Sequence, residues 1–330
     1  MSTLNLNFTP TNASKSRLLF GCALMLIASL LLGACASIGP DPRDLRIETS
    51  VSSDGQWIAV LKNAGTDQSQ VKVMRMDVRK WTDIKAPART SSIRFGLSPA
   101  QLLLTSWKSS ENSAAELSAI DVSRADYSRN ILYQGYGLGY PMELEVGQIL
   151  VRTCRNTSQD RCLNVVGSPW LLIVDGDVKN RYDSVRYSQP NYIRGLGFYW
   201  NIYKTSGLAP FESIGFDLRG GPVDGKKFPL TSSRDGEQDC DYQNIRCMKA
   251  FIANEGMPGP YIYDVKFSIG QTKCQTDGLS GWSDGMSITP NGNFGIKSLA
   301  KDWESSRHLV YLKFQPGICE PIDIQKIDIS

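Results

Sequence analysis

From about residue 45 onward, short apolar runs alternate with short polar turns, and the runs are too brief for helices. Trp57-Ile58-Ala59-Val60-Leu61 follows the polar turn Ser52-Ser53-Asp54-Gly55, and a second apolar run, Val71 to Met74, follows a polar hairpin. A tight Asp-Gly turn feeding a period-two or fully apolar run of four to eight residues predicts paired strands. No long stretch after residue 40 shows the 3.6-residue spacing of an amphipathic helix.

The pattern recurs. "SSDGQWIAVLKNAGTDQSQVKVMRMDVRK" has counterparts in "LSPAQLLLTSWKSSENSAAELSAIDVSR", in the segment from Leu144, in "GFYWNIYKTSGLAPFESIGFDLRGG", in "CMKAFIANEGMPGPYIYDVKFSIG" and in "ITPNGNFGIKSLAKDWESSRHLVYLKFQPG". The strand after each turn is placed near Trp57, Leu102, Ile149, Asn201, Phe251 and Phe294. Spacings of roughly 43–52 residues, with four short strands per unit, are those of propeller blades. The prediction is an all-β, six-bladed β-propeller of four-stranded antiparallel blades over residues 45–330. A β-sandwich with a second domain is the structural alternative.

"SSDGQWIAVL", "LSPAQLLLTSW" and "ITPNGNFGIKSL" resemble degenerate copies of the S-P-D-G-K-x-I-A-F repeat of TolB-like propellers. The resemblance is clear in units one, two and six; unit four lacks the turn and unit five is divergent. It implies an interaction role but carries over neither a partner nor a functional residue. "PDPRDLRIET", residues 40–49, is placed either as a ring-closing strand or as a tether.

The first 34 residues are of another kind. Lys15 and Arg17 precede the apolar run Leu18 to Ala34, short for a spanning helix and ending in small residues, as export signals do. "LLGAC" resembles the lipobox of bacterial lipoproteins, with Cys35 as the acylated residue. That resemblance implies a signal peptide over 1–34, a lipidated tether over 35–44, and an anchor of several acyl chains. Ala36 after Cys35, rather than Asp, implies the outer membrane, facing the periplasm.

The whole chain carries 36 Lys+Arg against 33 Asp+Glu, and Lys15 and Arg17 are the only charges in residues 1–34. The remainder is therefore almost neutral, without the basic excess that nucleic acid requires. Beyond Cys22 and Cys35, six cysteines remain: Cys154, Cys162, Cys240, Cys247, Cys274 and Cys319. An even number in an exported chain implies disulfides. Short spacing favours Cys154 with Cys162 and Cys240 with Cys247, leaving Cys274 for Cys319. Cys274 follows "VKFSIG" and Cys319 follows "LKFQPG", so this bridge would staple neighbouring blades.

Catalytic signatures are scarce. The single histidine, His308, begins an alternating strand, and there is no G-x-S-x-G elbow. "GYGLGY", residues 135–140, opens no helix and fails as a dinucleotide loop. Asp235, Glu237, Asp239 and Asp241 alternate and are weak candidates for calcium, though the spacing is not that of a calcium loop; no other cofactor is implied. "SIRFG", "YIRGL" and "NIRCM" place Arg94, Arg194 and Arg246 ahead of a unit's first strand, where a propeller has its funnel rim. Three arginines there would receive carboxylate, phosphate or a partner's acidic side chains. Tyr140, Trp200 and Trp282 fall in comparable inter-blade regions. The functional expectation is a lipid-anchored scaffold that binds an envelope protein. The alternatives are a glycan or small-anion binder, or a propeller hydrolase.

Overall fold

A computed structural model describes residues 47–108, 114–153, 169–182, 190–203, 210–228, 238–243, 246–252, 263–269, 272–276, 279–280, 282–300 and 308–329. The sequence from Leu45 to Ser330 is one compact unit. Residues 1–46 lie outside the described set, and with them the apolar leader and Cys35.

Six four-stranded antiparallel sheets follow one another along the chain. Blade 1 is β1 (Ile47–Val51), β2 (Trp57–Lys62), β3 (Gln70–Arg75) and β4 (Lys80–Ile84). Blade 2 is β5 (Thr90–Phe95), β6 (Gln101–Trp107), β7 (Ala114–Asp121) and β8 (Arg129–Tyr136). Blade 3 is β9 (Leu138–Glu145), β10 (Gln148–Thr153), β11 (Trp170–Val174) and β12 (Asp177–Tyr182). Blade 4 is β13 (Asn191–Ile193), β14 (Gly197–Tyr203), β15 (Pro210–Phe216) and β16 (Pro222–Val223). Blade 5 is β17 (Gln238–Cys240), β18 (Arg246–Ile252), β19 (Tyr263–Ile269) and β20 (Thr272–Gln275). Blade 6 is β21 (Trp282–Ile288), β22 (Phe294–Ala300), β23 (His308–Lys313) and β24 (Asp323–Asp328). The predicted six-bladed propeller is what the chain builds.

Burial follows position within the blade. The second strand is covered on both faces by neighbouring blades, so its centre is buried on both faces: β2 is buried from Ile58 to Leu61 and β6 from Leu102 to Ser106. The outermost strand is half covered, and β24 accordingly alternates exposed and half-buried positions. The cores lie between blades. Leu61, Val73, Phe95 and Leu104 pack blade 1 on blade 2, and Leu117, Leu138 and Val151 pack blade 2 on blade 3. Ile58, Val60, Ile296 and Tyr311 join blade 6 to blade 1.

The recurring turn has one hydrogen-bond design. In blade 1 the Ser52 hydroxyl donates to Asp54 Oδ1 (2.6 Å) and accepts from Trp57 N (2.9 Å), while Gln56 N donates to Asp54 Oδ1 (3.0 Å). In blade 6 Thr289 and Asn291 repeat these bonds: Thr289 Oγ1 donates to Asn291 Oδ1 (2.7 Å) and accepts from Phe294 N (3.1 Å). Gly55 and Gly292 take positive φ, 72° and 70°, which the turn requires and glycine adopts without Cβ strain. "SSDG" and "TPNG" are thus the same device. In blade 5 Asp241 stands in for Ser52, accepting from Arg246 N at 3.1 Å.

Two unit boundaries shift from the sequence expectation. β14 begins at Gly197 rather than near Asn201, because Arg194-Gly195-Leu196 makes a shorter turn. β18 begins at Arg246 rather than near Phe251, because the turn starts at Asp241. Arg246 therefore opens a second strand and does not precede a first one. The stretch from Ile47 pairs inside blade 1, with Ile47 opposite Lys62, so among the described residues no strand is shared between the chain ends; residues 40–46 lie outside the described residues.

Candidate functional site

The six first strands line the axis, and the turns that follow them meet around its mouth. Ser50, Arg94, Asp239 and Ser287 each stand two residues before the residue that opens the turn: Ser52, Gly96, Asp241 and Thr289. Two of these side chains bond to the next blade. Ser50 Oγ accepts from Phe95 N (2.9 Å), and Asp239 Oδ2 accepts from Ile288 N (2.9 Å).

Asp239 has a second partner. Arg94 Nη2 lies 3.1 Å from its Oδ1 and 3.2 Å from its Oδ2. Arg94 belongs to blade 2 and Asp239 to blade 5, which are opposite in a ring of six, so the ion pair crosses the axis. Burial opposes charge on Arg94, but Asp239 and Tyr242 outweigh it and hold its pKa above the ordinary value.

Tyr242 completes the crossing. Its hydroxyl donates to the carbonyl of Glu143 in blade 3, its N–H to Pro290 O in blade 6 (2.9 Å), and its carbonyl accepts from Arg194 N in blade 4 (2.7 Å). Its ring meets Tyr192 edge-on at 4.9 Å. Burial, above all, raises its pKa, as it does for Tyr192, so both hydroxyls remain donors. The Tyr192 hydroxyl donates to Glu145 Oε1 (2.7 Å), and Arg194 Nε lies 3.6 Å from the same oxygen. Glu143 accepts from Leu97 N (2.6 Å) and Gly147 N (3.2 Å). Ser53 Oγ donates to Leu97 O (3.2 Å) and Asn291 Nδ2 to Ser53 O (2.8 Å). These bonds stitch the turns of all six blades into one rim.

The predicted residues divide accordingly. Arg94 and Arg194 both converge on Tyr242, but Arg246 is buried against the loop after β23 in blade 6. Its guanidinium donates to Gln315 O (2.8 Å) and Cys319 O (3.2 Å) and stacks 4.4 Å over Phe314. Burial lowers its pKa, against the pull of Asp241. No ring of three arginines forms. Trp200 is fully buried among Trp170, Tyr182, Phe198 and Phe216, so it offers no surface to a ligand. Tyr140 is half-buried beside that same core, with a positive φ of 52°. Trp282 opens β21, and its side chain lies outside the described residues.

Asp235 and Glu237 lie outside the described residues, as do Cys154 and Cys162. Asp239 serves the axial ion pair and Asp241 the blade 5 turn. Among the described residues no group of three or more acidic, histidine or cysteine side chains is arranged to hold a metal. Disulfides join Cys240 to Cys247 and Cys274 to Cys319. Cys240 and Cys247 are direct cross-strand partners in β17 and β18, 4.1 Å apart at Cα, and the second bridge ties β20 of blade 5 to the loop after β23 in blade 6. Glu143, Glu145, Tyr192 and Tyr242 belong to the site but went unrecognised in the sequence. Each sits in or just after a first strand, the position Arg94 occupies.

Fold and rim together define a six-bladed β-propeller in which, among the described residues, no blade is shared between the chain ends. No family model and no curated protein matches the sequence. Among solved structures, the β-propeller domain of the trilobed protease from Pyrococcus furiosus, described as having an open velcro topology, is 10% identical. It aligns over 86% of this chain and 84% of its own, with a TM-score of 0.50. TolB from Acinetobacter baumannii is 11% identical over 88% of this chain and 68% of its own, with a TM-score of 0.50. Hydrazine synthase from Kuenenia stuttgartiensis is 10% identical over 84% and 79%, with a TM-score of 0.51. At such identities the likeness is one of fold.

Proposed function

We propose that this protein is a lipid-anchored β-propeller of the bacterial cell envelope, facing the periplasm, that binds a partner protein as a scaffold. One observation carries the binding role. The axial side chains are engaged with one another across the ring, Arg94 with Asp239 and Tyr242 with Glu143, so the turns around them form a rigid platform. A preorganised surface loses little freedom on docking. The anchor rests on the L-G-A-C motif ending at Cys35 and on the export-like leader before it. The two disulfides fit an oxidising compartment.

The anion-binding alternative loses two of its three arginines. Arg94 is held by Asp239 and Arg246 by backbone carbonyls, which leaves Arg194, 57% exposed and next to Glu145.

Cross-linked recovery of the full chain from detergent-solubilised envelopes, with mass spectrometry of bait and companions, tests the reading. An acylated Cys35 with one stoichiometric envelope protein is the expected result. An acylated chain recovered alone refutes the scaffold role; an unacylated Cys35 refutes the anchor.

A further inference from the structure

Among the described residues blades 1 and 6 share no strand and, unlike the other neighbouring blades, are not consecutive in the chain; a cleft of about 540 Å³ opens at their junction. That volume lies within the range of small-molecule and peptide pockets. The walls come from two blade 1 turns, Asp54–Gln56 and Arg75–Arg79, and from Lys313, Asp323 and Gln325 of blade 6. Phe294, half-buried, supplies aromatic surface and stacks at 6.0 Å on the buried Tyr311, whose hydroxyl donates to Gly55 O (3.1 Å). At the lip, Val78 is 61% exposed and Ile322 is 51% exposed.

The charges in the cleft balance in number but not in engagement. Asp54 accepts from the Ser52 hydroxyl and Gln56 N, Asp323 accepts from the Gln325 amide (2.6 Å), and Asp77 pairs with Arg75 (2.9 Å). Arg79 instead meets a neutral group, donating through Nη2 to Gln325 Oε1 at 2.8 Å. The guanidinium presents five donors in a fork suited to a carboxylate.

We propose, resting on the scaffold reading above, that the seam cleft between blades 1 and 6 is the docking site for an extended partner segment that alternates acidic and apolar side chains. A carboxylate takes the outer fork of Arg79, and apolar side chains lie along Phe294 and between Val78 and Ile322.

The test uses the full chain in detergent micelles and three fluorescent peptides: acetyl-Ala-Leu-Glu-Leu-Glu-Leu-Ala-amide and its analogues with Gln or Lys in place of both Glu. Anisotropy is expected to show the Glu peptide binding at least about tenfold more tightly than the Gln peptide, with the Lys peptide weakest. Arg79→Gln removes the preference for Glu over Gln. Arg194→Gln, on the axial rim, leaves it intact. Equal binding of the three peptides, no binding, or a preference that survives Arg79→Gln overturns the proposal; unchanged thermal melting separates loss of binding from loss of fold. Photo-cross-linkers placed in cells at Val78 and at Val146, which is 79% exposed on a rim turn, separate the two readings. Adducts only at Val146 retain the scaffold and overturn the seam site. Adducts at neither position overturn the scaffold.

Discussion

Removing one end of the axial ion pair exposes how the ring is held. Asp239→Ala leaves the Arg94 guanidinium inside the axis without its carboxylate and leaves Ile288 N without its acceptor. Breaking a buried pair from one side costs about 3–5 kcal/mol. Arg94 and Asp239 keep 20% and 12% of their side-chain surface, so solvent screens part of the interaction and the lower end, about 3 kcal/mol, applies. Arg94→Met leaves Asp239 its bond from Ile288 N and is expected to cost less. The double variant should recover much of the loss, giving a coupling of about 2 kcal/mol in a double-mutant cycle. Arg194 and Glu145 form the internal comparison: 3.6 Å apart, 57% and 36% exposed, with an expected coupling of about 0–1 kcal/mol. Urea midpoints at constant m-value measure all of these. A coupling for Arg94 and Asp239 no larger than that of the surface pair would refute a tie across the axis.

His308, the single histidine, has its pKa lowered mainly by burial and further by Lys326, against the pull of Asp328. The unfolded chain then binds the proton first, so stability should fall as pH drops below about 6.5, and His308→Gln should flatten that part of the melting profile. The bridge between Cys274 and Cys319 spans 45 residues and that between Cys240 and Cys247 spans 7. Replacing both cysteines with alanine should cost about 4 kcal/mol in the first case and about 2.4 kcal/mol in the second on the chain-entropy model, read as urea midpoints; equal losses would contradict it. Gly197→Ala should destabilise strongly, because φ is 133° and a Cβ would stand 2.1 Å from Phe216 O; an unchanged melting temperature would show that the turn into β14 relaxes freely.

What the sequence disclosed follows from which interactions are local. "SSDG" and "TPNG" announce blades because their hydroxyl, carboxylate or amide and glycine satisfy the turn within six residues. Where another residue takes over, the signal fades: Asp241 replaces the hydroxyl in blade 5, and blade 4 turns on Gly195 and Gly197. Those are the two units whose boundaries moved. The cysteine pairs within blade 5 and between blades 5 and 6 were legible because blade period and short spacing make them neighbours. The axial site was legible only at Arg94 and Arg194. Its other members act between blades far apart in sequence, as Tyr242 does with Glu143 at a separation of 99. A charged or aromatic residue of a first strand looks the same in sequence whether it points at the axis or at solvent. Arg246 shared the Ile-Arg pair but not its strand position, and one shifted turn buried it against the loop after β23 in blade 6.

Among the described residues no blade is completed by both chain ends, and directional ties across the ring lie at the axis. When two chain ends complete one blade, backbone hydrogen bonds lock the ring; here, among the described residues, every blade is local, and blades 6 and 1 meet through Ile58, Ile296, Tyr311 and bonds such as Trp81 Nε1 to Asp328 O (2.9 Å). Apolar packing between blades resists separation but does not fix their angle, since it is non-directional. The ion pair from blade 2 to blade 5 and the hub at Tyr242 are directional, and they act where a small rotation of any blade moves its turn off its partner. The seam between blades 6 and 1 is the junction where neighbouring blades are not consecutive in the chain. A partner segment seated there would bridge blades 1 and 6 and stabilise the closed ring by mass action, so binding should raise the melting temperature of the full chain as peptide concentration rises. A ligand bound elsewhere on the disc would lack this contact with both ends of the propeller, so a stapling disulfide across the seam should abolish the peptide's effect on seam opening while sparing binding at the rim.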